Sequence, residues 1–190
     1  EHARTTVPGL YAAGDMASVP HNYMLGAFTN GMFAGEDAVD YIGEHDFAEI
    51  DMGQVDAEMT RVLAPTKRED GIPPNQIEYK TRRLVNDYLQ PPKVTRKMLL
   101  AQDRFAEVRD DLKQMVVTDS HELMRALEAQ SILDCADMAA HASMFRTESR
   151  WGLYHAYADY PEKNNDDWFC HAQLKKDCLL YTSDAADDLY

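Results

Sequence analysis

The 190-residue sequence is short of basic residues and lacks long apolar runs. It has 19 Lys and Arg against 33 Asp and Glu, a formal net charge of -14, and so acidic a chain is repelled by a phosphate backbone. We therefore expect no nucleic-acid partner. No stretch approaches the roughly 20 apolar residues that cross a bilayer, so we expect no transmembrane segment either.

Cysteine is also scarce, with three in the sequence: Cys135, Cys170 and Cys178. They form no CxxC pair and no zinc-binding spacing, and their odd number argues against a disulfide framework. This usage is typical of a reducing, cytoplasmic compartment.

Common catalytic motifs are missing as well. The sequence contains no GxSxG, no HExxH and no P-loop lysine. Gly26, Gly31 and Gly35 do not have the GxGxxG spacing of a dinucleotide fingerprint, and close packing of a helix explains them better. Local spacing alone therefore assembles no nucleophile and base.

What the sequence does contain is one strand pattern followed by helical patterns. An apolar run between turn residues predicts a buried strand over 5–13, and small or apolar residues at near-helical spacing predict a helix over 25–42. The acidic stretch 44–51 predicts a boundary. We divide the chain into a first part at 1–43, a helical part at 44–150, an aromatic segment at 151–177 and a tail at 178–190.

The helical part carries several apolar stripes that are interrupted by proline. Asn75 with Glu78, and Asp119 with Glu122, have the spacing of capping boxes. They predict two helix starts, and the second helix is predicted to run to about Arg146. Three or four helices joined by short loops favour an antiparallel bundle.

The last two segments do not continue the helical pattern. The segment 151–177 is rich in aromatic residues, which predicts irregular structure lying across another surface. The tail 178–190 resembles the translation of a transposon adapter used in sequencing libraries, so we predict that it is not native. A genuine acidic tail is the alternative.

Two groups of motifs resemble a known family. The stretch GLYAAGD at 9–15, followed by LGAFTNG at 25–31, resembles the C-terminal flavin-binding element of the fumarate reductase and succinate dehydrogenase flavoproteins. The stretches RTESR at 146–150, DYPE at 159–162 and NDDWFCH at 165–171 resemble the C-terminal signature of the same family, in the same order. The resemblance covers about residues 5–177.

The resemblance implies an FAD-dependent oxidoreductase. The expected fold is an α/β fragment of an FAD-binding domain, followed by a mainly α part with an antiparallel helical bundle and an irregular C-terminal segment. A carboxylate such as Asp15 suits the flavin's ribityl hydroxyls, and a helix that begins near Leu25 directs its positive end at the N1 and O2 edge of the ring. The positions implied to contact FAD are Gly14, Asp15, Gly26, Ala27, Phe28 and Thr29.

The same resemblance names His21 as a catalytic candidate, since family members place proton-handling groups in this loop. A solvated loop histidine is the alternative. Met24 stands where the dicarboxylate enzymes have an arginine, and Trp151 directly follows the ESR motif. The missing arginine makes C4-dicarboxylates less suitable substrates, whereas the spacing from His21 to Gly26 and the position of Trp151 are closer to the adenylylsulfate reductase branch. Tyr157 stands where the family usually has another arginine.

The family also implies partners. We expect a small anionic substrate, an iron-sulfur electron-transfer subunit, and a cytoplasmic location peripheral to the inner face of the membrane through partner subunits. Glu148 and Arg150 are expected to form an ion pair at the end of the long helix that anchors the following segment to the flavin domain; a catalytic role is the alternative. The chain alone is expected to be inactive. The alternative from another class is a non-catalytic helical docking module.

Overall fold

The computed structural model describes residues 3–17, 23–47, 49–177 and 179–183. The chain divides into two compact units, Glu1–Met52 and Gly53–Tyr190. The division falls next to the acidic stretch where the sequence predicts a boundary.

The first unit opens with a looped segment rather than with the strand that the sequence predicts. Residues 5–13 turn back on themselves, so that Arg4 and Tyr11 form one isolated antiparallel bridge. Gly9 allows this reversal because its φ is +76°, in the region that favours glycine. A strand needs neighbours that satisfy its backbone groups, and the described residues of this unit supply none beyond that bridge. The predicted strand is wrong, and the α/β part of the predicted fold is not seen.

Helix α1, Met24–Glu44, confirms the helix predicted over 25–42. Two of the three glycines singled out in the sequence, Gly31 and Gly35, do not mark close packing, however. A Cβ added to Gly31 or Gly35 would meet no described atom within 4 Å. Its large apolar side chains are exposed, among them Leu25, Phe28 and Val39.

The chain then forms a series of helices and one hairpin. The helices are α2 (Met52–Leu63), α3 (Pro74–Leu84, extended by a π turn at Val85–Leu89), α4 (Thr95–Leu112), α5 (Ser120–Phe145) and α6 (Asn165–Trp168). The strands are β1 (Gln173–Asp177) and β2 (Leu179–Ser183), which pair antiparallel. None of these helices, nor α1, is long and apolar enough to cross a membrane, as far as the described residues go.

Helices α3, α4 and α5 pack on one another and enclose the core, which confirms the predicted helical bundle. Their apolar stripes supply side chains with almost no exposure. These are Ile77 from α3, Met98, Ala101 and Phe105 from α4, and Ala126, Leu133 and Ala140 from α5.

One predicted capping box is confirmed and the other is wrong. At α5, the Glu122 backbone N–H donates to Asp119 Oδ1 at 2.8 Å, and Glu122 Oε2 accepts from the Thr118 backbone N–H at 2.8 Å. At α3, the helix begins one residue before Asn75, with Pro74 in its first turn. Proline suits this position because its missing N–H would have no helical partner.

The segment after α5 is irregular as far as α6, apart from a short 3-10 turn, and part of it enters the bundle; α6 and β1 depart from the irregular structure predicted over 151–177. Tyr157 is only 2% exposed and belongs to the core. The Lys93 backbone N–H donates to Ala156 O at 2.7 Å, and the Ala158 N–H donates to Lys93 O at 2.8 Å. This pairing holds the segment against the loop before α4.

The hairpin at the end of the described chain was not predicted. Its register pairs Gln173 with Ser183 and Asp177 with Leu179. Strand β2 thus lies in the segment whose origin is predicted to be non-native, while Cys178 and residues 184–190 lie outside the described residues. That origin stays a prediction.

Candidate functional site

The predicted flavin-contacting residues occupy two segments that the first unit brings together. Gly14 is buried and has a φ of +67°. A Cβ built on it would lie 3.5 Å from the Ala27 Cβ, so the Gly14 backbone lies directly against the first turn of α1. Only a residue without a side chain adopts this conformation without strain.

The first turn of α1 presents an open helix N-terminus. Tyr23 caps it without a side-chain hydrogen bond, and no acidic residue lies in the first turn. The first backbone N–H groups of any helix have no partner within the helix. Gly26 and Ala27 lie in this turn, and within the turn itself no acidic side chain neutralises the positive end of the helix dipole. Such a terminus is suited to a group that carries or gathers negative charge.

The other predicted residues border this turn. Asp15 follows Gly14 in a short 3-10 turn and is exposed, and Phe28 is 71% exposed. Thr29 Oγ1 donates to Leu25 O at 2.8 Å, so its hydroxyl proton is engaged within the helix and its oxygen can only accept from a ligand. His21 lies outside the described residues.

This arrangement fits the flavin that the motifs imply. A glycine at positive φ leaves free the volume that a Cβ would fill, the helix N-terminus supplies positive potential, and Asp15 supplies an exposed hydrogen-bond acceptor.

An ion pair that sequence reasoning missed ties the looped segment to α1. Arg4 Nη2 donates to Asp37 Oδ1 at 3.0 Å, and the Tyr11 hydroxyl donates to Asp37 Oδ2 at 2.8 Å. Burial raises the pKa of Tyr11, and its hydrogen bond to the Asp37 carboxylate raises it further. Because 33 residues separate Arg4 from Asp37, no local spacing could have indicated this contact.

The second unit contains a buried carboxylate held by three groups. Glu148 is 0% exposed and accepts from Arg146 Nη1 at 2.7 Å, from Arg150 Nε at 2.6 Å and Nη2 at 2.9 Å, and from the Asn164 N–H at 2.9 Å. Burial alone would raise the pKa of Glu148, but the bonds from Arg150, Asn164 and Arg146 outweigh it and lower the pKa to about 2. The predicted pair of Glu148 and Arg150 is confirmed, although both follow α5, which ends at Phe145.

This Glu148 cluster borders a pocket of about 520 Å³. Both arginines of the cluster line the pocket, together with His155. Burial lowers the pKa of His155, while a hydrogen bond between Nε2 and the Arg146 carbonyl opposes that effect. The aromatic side chains that line the pocket are Trp151, Tyr154, Trp168 and Phe169.

Tyr157, where the family usually has an arginine, has a structural role here. Its hydroxyl lies 2.7 Å from Thr95 Oγ1, which also donates to Asp159 Oδ2 at 2.6 Å. The residue fills the core and does not reach the pocket lining.

Comparison with known proteins identifies the family. The model of the fumarate reductase flavoprotein C-terminal domain matches residues 79–183, more than half of the chain. This chain belongs to that family. The match covers the bundle core from α4 onward, the Glu148 cluster and the hairpin.

Individual relatives extend the similarity toward the N-terminus. The succinate dehydrogenase flavoprotein subunit of Bacillus subtilis is 26% identical over 185 residues, which is 86% of this chain and 31% of the relative. An uncharacterized FAD-dependent oxidoreductase of Methanocaldococcus jannaschii is 23% identical over 175 residues, covering 88% of this chain and 32% of the relative. The chain therefore spans about a third of the length of these relatives.

Solved structures share the fold. An adenosine-5-phosphosulfate reductase in complex with sulfite matches with a TM-score of 0.87 and 28% identity, covering 95% of this chain and 32% of that one. The adenylylsulfate reductase of Archaeoglobus fulgidus matches with a TM-score of 0.83 and 26% identity, covering 90% of this chain and 31% of that one. The Escherichia coli quinol fumarate reductase matches with a TM-score of 0.82 and 20% identity, covering 96% of this chain and 34% of that one. At that identity it shows the shared fold alone.

Proposed function

We propose that this chain is the C-terminal part of an FAD-dependent oxidoreductase subunit that acts on a small anionic substrate. The observation that carries the proposal is the uncapped N-terminus of α1 lying against Gly14, with Asp15 beside it. Family membership supports it, since the relatives include flavoprotein subunits. When bound, FAD supplies the hydride or electron-pair transfer.

Each residue of this site has a distinct task. Asp15 accepts a hydrogen bond from a ribityl hydroxyl, and the N–H groups of the first turn, near Gly26 and Ala27, stabilise negative charge at the N1 and O2 edge of the flavin. Phe28 provides apolar contact, and Thr29 accepts a hydrogen bond through its hydroxyl oxygen.

His21 is our candidate for handling a proton at the substrate. The proposal rests on its position in the sequence between the two flavin-contacting segments. An imidazole titrates near neutral pH and can both give and take a proton.

For the substrate we favour adenylylsulfate over C4-dicarboxylates. The adenosine-5-phosphosulfate reductase in complex with sulfite and the adenylylsulfate reductase of Archaeoglobus fulgidus are 28% and 26% identical to this chain. Met24 cannot form the bidentate bond to a carboxylate that an arginine provides. The second candidate is succinate or fumarate, which the similarity to succinate dehydrogenase flavoprotein subunits favours.

The proposal includes an iron-sulfur partner subunit that exchanges electrons with the flavin, and a cytoplasmic location at the inner face of the membrane through partner subunits. Both follow from the family resemblance rather than from a contact in this chain. The iron-sulfur partner is tested by copurification: a subunit that carries iron and acid-labile sulfide should copurify with the full-length protein.

The test of the cofactor site compares two glycine substitutions in the full-length protein. Gly14→Ala forces a side chain into a left-handed conformation that costs about 1 kcal/mol or more and reduces the volume beside α1, so we expect lower flavin content. Gly35→Ala is the control, because it lies outside the flavin-binding motif and nothing described lies within 4 Å of its added Cβ. Flavin content is measured by absorbance after denaturation. Equal content in both variants would overturn the assignment of Gly14.

The test of the substrate is a steady-state assay of the full-length protein with its partner. We expect turnover with adenylylsulfate, or with sulfite and AMP in reverse, and little with succinate or fumarate. We also expect His21→Ala to keep its flavin and to lose about a hundredfold in turnover if His21 transfers a proton. Rapid dicarboxylate turnover would establish the second candidate instead.

A further inference from the structure

A groove in the second unit concentrates positive charge on an acidic protein. It has a volume of about 340 Å³ and is bordered by four cationic side chains, Arg61, Arg68, Arg109 and Lys113. None of the residues that line it carries a carboxylate, although the whole chain has a net charge of -14. The lining is thus cationic on an acidic chain, and the carboxylates that pair with Arg61, Arg109 and Lys113 lie outside it.

The floor of this cationic groove is apolar. It is formed where the end of α4 and the turn after α2 meet α5, by Pro65, Leu112, Met115 and Leu127. A floor of this kind accepts aliphatic side chains, and the cations stand at its border. The combination fits a ligand that is apolar on one side and acidic at its edges.

Two of the cations, Lys113 and Arg61, are held by exposed ion pairs, and Arg61 Nη1 also donates to Oε1 of Gln130 in the groove lining at 2.7 Å. Lys113 Nζ lies 2.6 Å from Asp110 Oδ1, and both side chains are more than 70% exposed. Arg61 pairs with Glu58 at the neighbouring turn of α2, and both of these side chains are about half exposed or more. Exposed pairs contribute little free energy, so each cation can exchange its carboxylate for one on a ligand.

The other two cations differ from each other. Arg68 Nη1 donates to the Met115 backbone carbonyl at 2.5 Å, and no carboxylate among the described residues forms an ion pair with it. Arg109 is engaged by Asp134 and by the buried Asp137. Three charges, those of Arg61, Arg68 and Lys113, are therefore available at the border of the groove.

We propose that this cationic groove docks an acidic, amphipathic segment of a partner protein. The apolar side chains of that segment lie on the floor, and its carboxylates meet Arg61, Arg68 and Lys113. A protein segment fits better than a nucleic acid, because none of the lining residues is aromatic and could stack on a base, and because the net charge of the chain opposes a phosphate backbone. The proposal is independent of the flavin site.

The probe is a fluorescein-labelled peptide of about 16 residues, long enough to form a helix on binding. It carries leucine at helical spacing on one face and glutamate on the other. Two matched peptides serve as controls: one has lysine in place of every glutamate, and the other has the same composition in scrambled order. Fluorescence anisotropy at low salt with the 190-residue chain measures binding. We expect the acidic amphipathic peptide to bind in the micromolar range and both controls to bind at least tenfold more weakly.

Charge-reversal variants locate the site. Arg68→Glu and Lys113→Glu should each weaken binding by about tenfold. Lys97→Glu, an exposed position at the start of α4 outside the groove, changes the net charge equally and should have no effect. Lys113→Glu keeps the test decisive if loss of the Arg68 contact to Met115 disturbs folding, which circular dichroism reports.

Three results would overturn the proposal. The first is no saturable binding of the acidic amphipathic peptide up to millimolar concentration. The second is equal weakening by Lys97→Glu and Lys113→Glu, which would show a non-local charge effect. The third is tighter binding of a single-stranded oligonucleotide than of the peptide, which would make the groove a nucleic-acid site.

Discussion

Among single residues, Glu148 constrains the path of the chain after α5 through contacts at three positions. A charged carboxylate without exposure is stable only when its charge and its lone pairs are satisfied. Arg146, Arg150 and the Asn164 N–H supply this compensation from three points along the segment. The segment between them must therefore close around Glu148.

We expect Glu148→Gln to destabilise the second unit by about 3 kcal/mol. The substitution keeps the shape but removes the negative charge, which leaves Arg146 and Arg150 facing each other while partly buried. Urea denaturation followed by circular dichroism measures the change. Glu162→Gln, an exposed position in the same segment, is the control and should lie within about 0.5 kcal/mol of the parent. Equal stability of the two variants would contradict the role given to Glu148.

The same residue predicts a pH dependence. Folding lowers the pKa of Glu148 from 4.5 to about 2. The contribution of its charged form to the free energy of unfolding is therefore complete above about pH 4.5 and is lost as the pH falls toward 2. Between these values the parent should lose more stability than Glu148→Gln does. Urea midpoints measured at several pH values from 2 to 6 test this. Parallel pH profiles would show that Glu148 is not the titrating group.

The sequence predicted part of these contacts and missed others for a physical reason. Glu148 and Arg150 belong to one short motif, so their pairing could be predicted from spacing. Asn164 and Arg4 act through backbone or side-chain groups that reach residues 16 and 33 positions away. Contacts at such separations depend on the tertiary fold and leave no periodic signal.

At the scale of the elements, the loop between α2 and α3 passes very close to the end of α4. The Ile72 N–H donates to Gln114 O at 2.9 Å, and the Val116 N–H donates to Ile72 O at 3.1 Å. A Cβ on Gly71 would lie 2.2 Å from Gln114 O. Because that oxygen is part of the backbone pairing, it cannot move aside without breaking a hydrogen bond.

We therefore expect Gly71→Ala to cost about 3 kcal/mol or more, as a steric overlap with backbone that the structure cannot relieve locally. Gly43→Ala, near the end of α1, has nothing described within 4 Å of the added Cβ, and should be neutral or slightly stabilising because alanine favours the helix. Thermal unfolding distinguishes them. A stable Gly71→Ala protein would mean that the loop has a second accessible path.

The long helices were predictable because each carries its own apolar stripe, and a helix satisfies its backbone groups within one segment. A strand, by contrast, needs a neighbouring strand to satisfy its backbone hydrogen-bonding groups. The run at 5–13 has a strand composition, but the described residues offer it no sheet, so it folds back between Arg4 and Tyr11. The hairpin of β1 and β2 was missed for the opposite reason, since its polar first strand, QLKKD, shows no distinctive pattern.

At the scale of the whole molecule, the buried side chains are distributed unequally between the two units. Among the described residues, all members of the apolar core lie between Ile77 and Tyr157, in the second unit. Among the described residues of the first unit, Gly14 is the one that is buried. Stability should follow this distribution, because burial of apolar surface is the main source of folding free energy.

We expect a protein of residues 53–183 to fold cooperatively, with a melting temperature within about 2 °C of the full chain. Residues 1–52 alone should show little helix, since an isolated helix of 21 residues is marginal in water without packing. Circular dichroism of the two pieces at equal concentration tests both statements. Cooperative melting of the shorter piece would contradict the second.

The contact between Thr95 and the segment after α5 bears on the order of folding. Thr95 and Asp159 are 64 residues apart, and α4 and α5 lie between them. Closing so long a loop costs more conformational entropy than forming a contact between residues that are close in sequence. We infer that α4 and α5 associate first and that Tyr157 enters the core late, so a nascent chain that stalls just after α5 holds a nearly complete bundle with one aromatic position still empty.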